Sequence, residues 1–172
     1  TTMVDAFLEA WKATQESRYR KAIIDTCSYL IRDMQAPSGG FYSAEDAESY
    51  EPEDSNQKRE GAFYVWSLSQ AEKALEETGL LALASAYYGI RENGNAPRVG
   101  SSSNELDGYN VLRIEKSIVE IAREFQIDES TALDRMNEID RILFEIRSKR
   151  VRPHLDDKII TAWNGLAISA LA

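Results

Sequence analysis

Apolar residues recur at three-to-four-residue spacing on both sides of two polar interruptions, and this punctuation constrains the fold more than any other feature. Met3, Val4, Phe7, Leu8 and Trp11 form one stripe over residues 3–14, the pattern of an amphipathic helix. Tyr19, Ala22, Ile23, Thr26, Cys27, Leu30 and Ile31 form a second, broader stripe over residues 18–34, again one face of a helix. Only Gln15, Glu16 and Ser17 separate the two stripes, and so short a connection makes the helices antiparallel neighbours. Pro37-Ser38-Gly39-Gly40 stops the second helix, since proline and paired glycines punctuate the backbone.

Residues 49–60 are almost wholly polar and read as an exposed loop. The apolar run AFYVW at residues 62–66 reads as a short strand, with residues 40–44 as its partner in a small antiparallel ribbon. Ser67 followed three residues later by Gln70 is a capping box, which predicts a helix to about residue 77 with Gly79 at its end. Residues 80–88 read as another helix ended by Gly89. The second interruption, residues 91–109, is rich in glycine and serine and reads as a loop, mobile at residues 100–103, before a brief extended piece at 110–114. Ser117 and Glu120 form a second capping box, and Asp128 can cap a helix over 129–149. That helix carries Ala132, Met136, Ile139, Leu143 and Ile146 on one face, too few heptads for a coiled coil, and Pro153 ends it. A last helix is predicted from near Lys158, carrying Ile159, Ala162, Trp163, Leu166, Ala167 and Ala170, with Asp157 as its N-cap. The first and last helices meet the chain ends abruptly, so residues 1–172 read as a single partial domain of a larger, mainly α protein.

Composition removes several classes of function. The 172 residues include 20 Lys+Arg and 29 Asp+Glu, a net charge of −9, and a nucleic-acid binder needs a basic patch instead. No apolar run reaches the length of about 18 residues that a membrane span requires, and the first residues lack the basic and apolar segments of a secretory leader. One cysteine, Cys27, excludes an internal disulfide framework and favours an intracellular, reducing compartment over secretion. One histidine, His154, leaves too few ligands for a zinc site. Gly89, Gly94 and Gly100 lack the strand–helix setting of a phosphate loop. No metal or cofactor is called for.

Two stretches carry side chains suited to chemistry. GGFYSAEDAES (residues 39–49) places Glu45, Asp46 and Glu48 beside Phe41 and Tyr42. Aromatic faces stack on the C–H face of a sugar ring while carboxylates bind hydroxyls or exchange protons. The plainer alternative is an acidic surface loop anchored by two rings. RPHLDDKIITAWNG (residues 152–165) combines His154, Asp156, Asp157, Lys158, Trp163 and Asn164. Its carboxylates either cap a helix or stand at a cleft mouth with Trp163 as a stacking platform. His154 is either a solvated loop residue or a general base there. Cys27 shares the apolar face of its helix and is expected to be buried core rather than a nucleophile.

The segments GGFYSAEDAES, EGAFYVWSLSQAE, GYNVL and RPHLDDKIITAWNGLAISALA, in that order and spacing, resemble the helical domain of the spermatogenesis-associated protein 20 family over essentially the whole chain. The resemblance implies an (α/α)6 toroid of the six-hairpin glycosidase type, related to sugar 2-epimerases, of which this chain supplies about half, decorated by the small β-ribbon. It also implies an upstream thioredoxin-like domain and further hairpins, neither within these 172 residues. Carried over by position, shared residues fall on Phe41, Tyr42, Asp46, Tyr64, Trp66, Asn110, Asp156, Asp157, Lys158, Trp163, Asn164 and Gly165. Glu48 stands where the family pattern has Asp, which keeps a carboxylate but changes its reach. The related epimerases use histidine pairs, whereas this chain has one histidine.

The resulting expectation is a sugar-active or sugar-binding domain. Asp46, Asp156 and Asp157 are its candidate acid–base groups, and Phe41, Tyr42, Trp66, His154, Lys158, Trp163 and Asn164 its candidate binding residues. The alternatives are a non-catalytic protein-interaction scaffold, or an accessory to the thioredoxin-like domain of the same full-length chain. One question separates them: whether carboxylates from both stretches converge on one aromatic-lined pocket.

Overall fold

The computed structural model describes residues 1–52, 56–96 and 106–172; the expected mobile stretch at 100–103 lies outside them. In chain order the elements are α1 (Thr2–Thr14), α2 (Ser17–Tyr29), a π-helical turn (Leu30–Met34), β1 (Ala44–Glu45), β2 (Glu48–Tyr50), β3 (Lys58–Glu60) and a 3-10 turn (Ala62–Tyr64). Then follow α3 (Leu68–Leu75), α4 (Leu81–Tyr88), α5 (Ile118–Glu124), α6 (Glu129–Arg147), β4 (Leu155–Asp156) and α7 (Thr161–Leu171). The described chain is thus mainly helical with small antiparallel pairings, as expected. It divides into two compact units: Thr1–Asp46 with His154–Ala172, and Ala47–Pro153.

In the second unit the helix starts follow the sequence signals closely. The Ser67 hydroxyl accepts from the Gln70 amide at 3.2 Å while the Gln70 side chain accepts from the Ser67 amide at 3.1 Å. Ser117 and Glu120 make the same reciprocal pair, and Asp128 accepts from the Thr131 amide at 2.8 Å. Each cap satisfies donors that a first helical turn leaves without intrahelical partners. The helices close over one apolar cluster that includes Trp66, Leu75, Leu83, Ile121, Met136, Ile139 and Leu143.

Two expectations fail in this unit. The stretch expected to be an exposed loop contains the hairpin β2–β3, paired Glu48↔Glu60, Ser49↔Arg59 and Tyr50↔Lys58. A polar pattern concealed it because the inward residue is a serine: Ser49 is buried and its hydroxyl accepts from the Phe63 amide at 2.7 Å. The AFYVW run is correspondingly not a strand. Gly61, at φ 75°, bends the chain in a conformation that glycine adopts without steric cost, and Ala62–Tyr64 form the 3-10 turn. Ala62, Phe63, Val65 and Trp66 are all buried, which an alternating ribbon would not allow. Arg150 holds this turn in place, donating to the Phe63 and Val65 carbonyls at 2.8 Å each, with its guanidinium 4.3 Å from the Trp66 ring centre.

Asn110 is the polar centre of the unit and is fully buried. Its backbone pairs with Trp66 in both directions. Its side-chain amide donates to the Trp66 and Arg91 carbonyls at 3.1 and 3.0 Å and accepts from the Arg91 amide at 2.8 Å. Both amide protons and the oxygen of that carboxamide are thus directed at buried backbone.

In the first unit α1 packs against both α2 and α7. The predicted second helix is present, but its last turn is π rather than α. Its burial differs too: no residue of α2 is buried, and Cys27 is half-buried rather than enclosed. The unit's buried apolar residues are Val4, Met34, Ala36 and Ala167, too few to cover the broad stripe that the sequence displays. β1 pairs with β4, as Ala44↔Asp156 and Glu45↔Leu155, so of the expected strand at 40–44 only Ala44 joins a ribbon, and its partner is remote in sequence rather than AFYVW. Because Asp156 is in β4, α7 begins at Thr161 and not near Lys158, and Ile160 rather than Asp157 takes the N-cap position.

Replacing Asn110 by Ala would strand the Arg91 amide and remove one of two donors from each of the Trp66 and Arg91 carbonyls, at about 1–3 kcal/mol for a stranded buried group. Asn110→Ala is therefore expected to raise hydrogen exchange throughout α3–α6 by at least about tenfold in the full-length protein; exchange confined to residues next to Asn110 would contradict this role.

Candidate functional site

Glycine gives the site room. A Cβ on Gly40 would stand 3.1 Å from Ile159 Cγ2 and 3.4 Å from Asn164 Oδ1, a tight fit that would push these side chains outward by a few tenths of an ångström. The Asn164 side chain then clamps Phe41. It accepts from the Phe41 amide at 2.6 Å and donates to the Phe41 carbonyl at 3.0 Å, mimicking a strand neighbour. Its nitrogen also donates to the Ile160 carbonyl at 3.1 Å.

The next residues zip onto the other motif. The Ser43 amide donates to the Asp156 carbonyl at 3.3 Å, and the Asp46 amide to the His154 carbonyl at 2.7 Å. The Gly-aromatic-acid stretch and the His-Asp-Asp-Lys stretch, apart in sequence, thus lie side by side within unit one. On the other side, the Tyr42 amide donates to the Met34 carbonyl at 2.8 Å, which ties the same segment to the π turn.

These connections shape a cleft of about 320 Å³, at the lower end of ligand-site volumes. Tyr29, Phe41, Tyr42 and Trp163 supply aromatic surface, with Ser43 and Asn164 as polar groups and Met34 and Leu166 among the apolar ones. Trp163 is 51% exposed, so its ring is open to solvent.

Four of the expected site residues line this cleft: Phe41, Tyr42, Trp163 and Asn164. The candidate acids do not. Asp46 and Asp157 are exposed, and Asp156 is half-buried on the ribbon. Lys158 donates to both carboxylate oxygens of Asp156 at 2.7 and 2.8 Å. The Lys158 ammonium, helped by its own amide and by the Ser43 hydroxyl, holds the Asp156 carboxyl below the usual carboxylate range. Such a hold favours the ionised form, the opposite of the raised pKa that a general acid needs at neutral pH. His154 is exposed beside the ribbon. Trp66 is placed elsewhere: it is buried in unit two, 1% exposed and covered by Arg150, so it offers no stacking face.

Sequence reasoning missed Tyr29. It lines the cleft, and its hydroxyl donates to Glu45 Oε2 at 2.8 Å. No sequence pattern marked it: Tyr29 is the last residue of α2, directly before the π turn Leu30–Met34, and such turns recur at functional sites.

No family model matches the chain. Human spermatogenesis-associated protein 20 is 35% identical over 175 residues, covering 97% of this chain and 22% of that protein. The mouse protein of the same name is 32% identical over 174 residues, with 96% and 22% covered. An uncharacterized protein of Caenorhabditis elegans is 32% identical over 156 residues, covering 88% of this chain and 21% of its own. The resemblance seen in the motifs therefore extends along nearly the whole chain, and the chain spans about a fifth of the length of these relatives.

Asn164→Asp would keep the acceptor facing the Phe41 amide but lose both donations. It is expected to destabilise the cleft by about 1–3 kcal/mol, read as faster exchange at Phe41 and Ile160; unchanged exchange would show that the clamp contributes nothing. Acid provides a second test. A carboxyl with a lowered folded-state pKa contributes stability above its unfolded pKa and loses it as pH falls through the folded one. The β1–β4 pairing is therefore expected to loosen only below the ordinary carboxylate range near 4, and Asp156→Asn to abolish that acid step. An acid step of the same size in the variant would assign it to another group.

Proposed function

We propose that this chain forms part of an (α/α)6 toroid and contributes a sugar-binding face to it, with the ribbon carboxylates framing the cleft rather than acting as its acid and base. The observation that carries this is the cleft itself: three aromatic residues, Phe41, Tyr42 and Trp163, from two remote segments are held around a small concave volume with polar groups at Ser43 and Asn164. Flat aromatic surface beside a few fixed hydrogen-bonding groups suits the alternating C–H and O–H faces of a sugar ring. A carbohydrate role for the toroid family to which the motifs point supports the same reading. Binding is favoured over acid–base catalysis by this chain because Asp156 is committed to Lys158 and the other two acids are exposed.

A second reading, an interaction scaffold, has its own support. Ile159, Trp163 and Leu166 are each 44–51% exposed on and just before α7, and exposed apolar surface beside a cleft suits a contact site. The thioredoxin-like domain expected from the resemblance is one occupant that this reading allows.

The two separate in one experiment on the full-length protein. Neutral mono- and disaccharides are expected to raise its melting temperature and to change tryptophan fluorescence, and Trp163→Ala to remove both effects without lowering the unliganded melt. A folded full-length protein that responds to no saccharide would contradict the sugar-binding reading and leave the scaffold.

A further inference from the structure

We propose that the outward face of α7 is the packing surface for another helix of the same full-length polypeptide, one that lies outside residues 1–172. The inference does not rest on the sugar-binding reading, because Trp163 and Leu166, which line the cleft, belong to a different side of α7. Along the outward face Thr161, Gly165, Ile168 and Ser169 follow one another at helical spacing, and all four are exposed. The inner side is anchored: Ala167 is buried, α7 packs against α1, and Asn164 holds the helix to Phe41. A helix at a protein surface ordinarily turns charged residues to water, as α6 does with Asp134, Glu138, Arg141 and Glu145. The outward face of α7 is built instead from small residues and Ile168, which is 66% exposed.

The shape of this face points to a helix as its occupant. Thr161, Gly165 and Ser169 recur every fourth residue, so they form a shallow track along the helix, the kind of groove into which the side-chain ridge of a second helix fits. Gly165 stands at the middle of the track. A Cβ on it would meet no atom of the described residues within 4 Å, although glycine inside a helix is less stable than alanine. Close approach by another backbone makes use of that glycine, and Ile168 beside it supplies apolar area for the contact. The full-length chain is long enough to provide the helix: the human relative is matched over 22% of its length and the mouse relative over the same share. A helix tethered in the same polypeptide acts at high effective concentration, which favours it over a second copy of the protein.

The test uses the full-length protein. A benzophenone-bearing amino acid placed at position 168 is expected, on irradiation, to cross-link within one polypeptide to a peptide from outside residues 1–172, at attachment points three or four residues apart. Gly165→Leu on a bare helix face would slow amide exchange in α7 or leave it unchanged, because leucine favours helix over glycine. On a closely packed face it is expected to speed that exchange by about tenfold, and Ile168→Asp to do the same. Should either variant fail to fold, the cross-link decides. Cross-linking to a second copy, to the thioredoxin-like domain or to residues within 1–172, or no cross-link at all, would overturn the inference. So would exchange in α7 that Gly165→Leu slows or leaves unchanged. Saccharide binding at Trp163 is read by melting and fluorescence, so failure here leaves the sugar-binding reading standing, and the reverse holds as well.

Discussion

The carboxamide of Asn164 is the interaction on which the candidate site depends. It reaches across 123 residues to satisfy both the amide and the carbonyl of Phe41. It fixes Phe41 directly relative to Trp163, one residue before Asn164 on α7, where the β1–β4 pairing alone would hold the two walls only through the ribbon. The clamp also explains neighbouring features. Gly40 leaves room for the Ile159 and Asn164 side chains, and the short β1–β4 pairing continues the same zipper. A half-buried carboxamide matched on both sides favours one arrangement, since others leave its groups unpaired.

The two units show the same device with different amounts of apolar support. Asn110 in unit two makes a comparable set of backbone contacts, but within a closed apolar cluster. In unit one the clamp operates with few buried apolar residues and much exposed apolar surface on α7. Unit one is therefore the part of the chain whose geometry relies most on directed hydrogen bonds rather than on burial. That is also the part that presents an open aromatic cleft, where a ligand or partner can complete the burial that this segment leaves unfinished.

What the sequence made legible follows from local physics. The helices that begin at Ser67, Ser117 and Asp128 were readable because a cap is a property of three or four consecutive residues. Phe41, Tyr42, Trp163 and Asn164 were readable as site residues because each stands in a dense motif. The failures lie where distant residues decide. Whether residues 40–44 pair with AFYVW or with Leu155–Asp156 depends on a crossing of more than 100 residues, and no local pattern records it. Ser49 read as loop because a buried serine looks polar in sequence, although its partner, the Phe63 amide, makes it core. Trp66 read as a binding residue through the motif it shares with others, yet Arg150 turns it into a covered core side chain. Tyr29 acquired its place only through the π turn and Glu45.

The most direct test of the central claim is a crystal structure of the full-length protein soaked with a neutral saccharide. The sugar is expected with one ring face against Trp163 or Tyr42 and a hydroxyl within hydrogen-bond distance of Tyr29 Oη or Ser43 Oγ, while the Asn164–Phe41 pair stays closed. Density for the saccharide at any other place, with this cleft empty or filled by a segment of the protein itself, would contradict it.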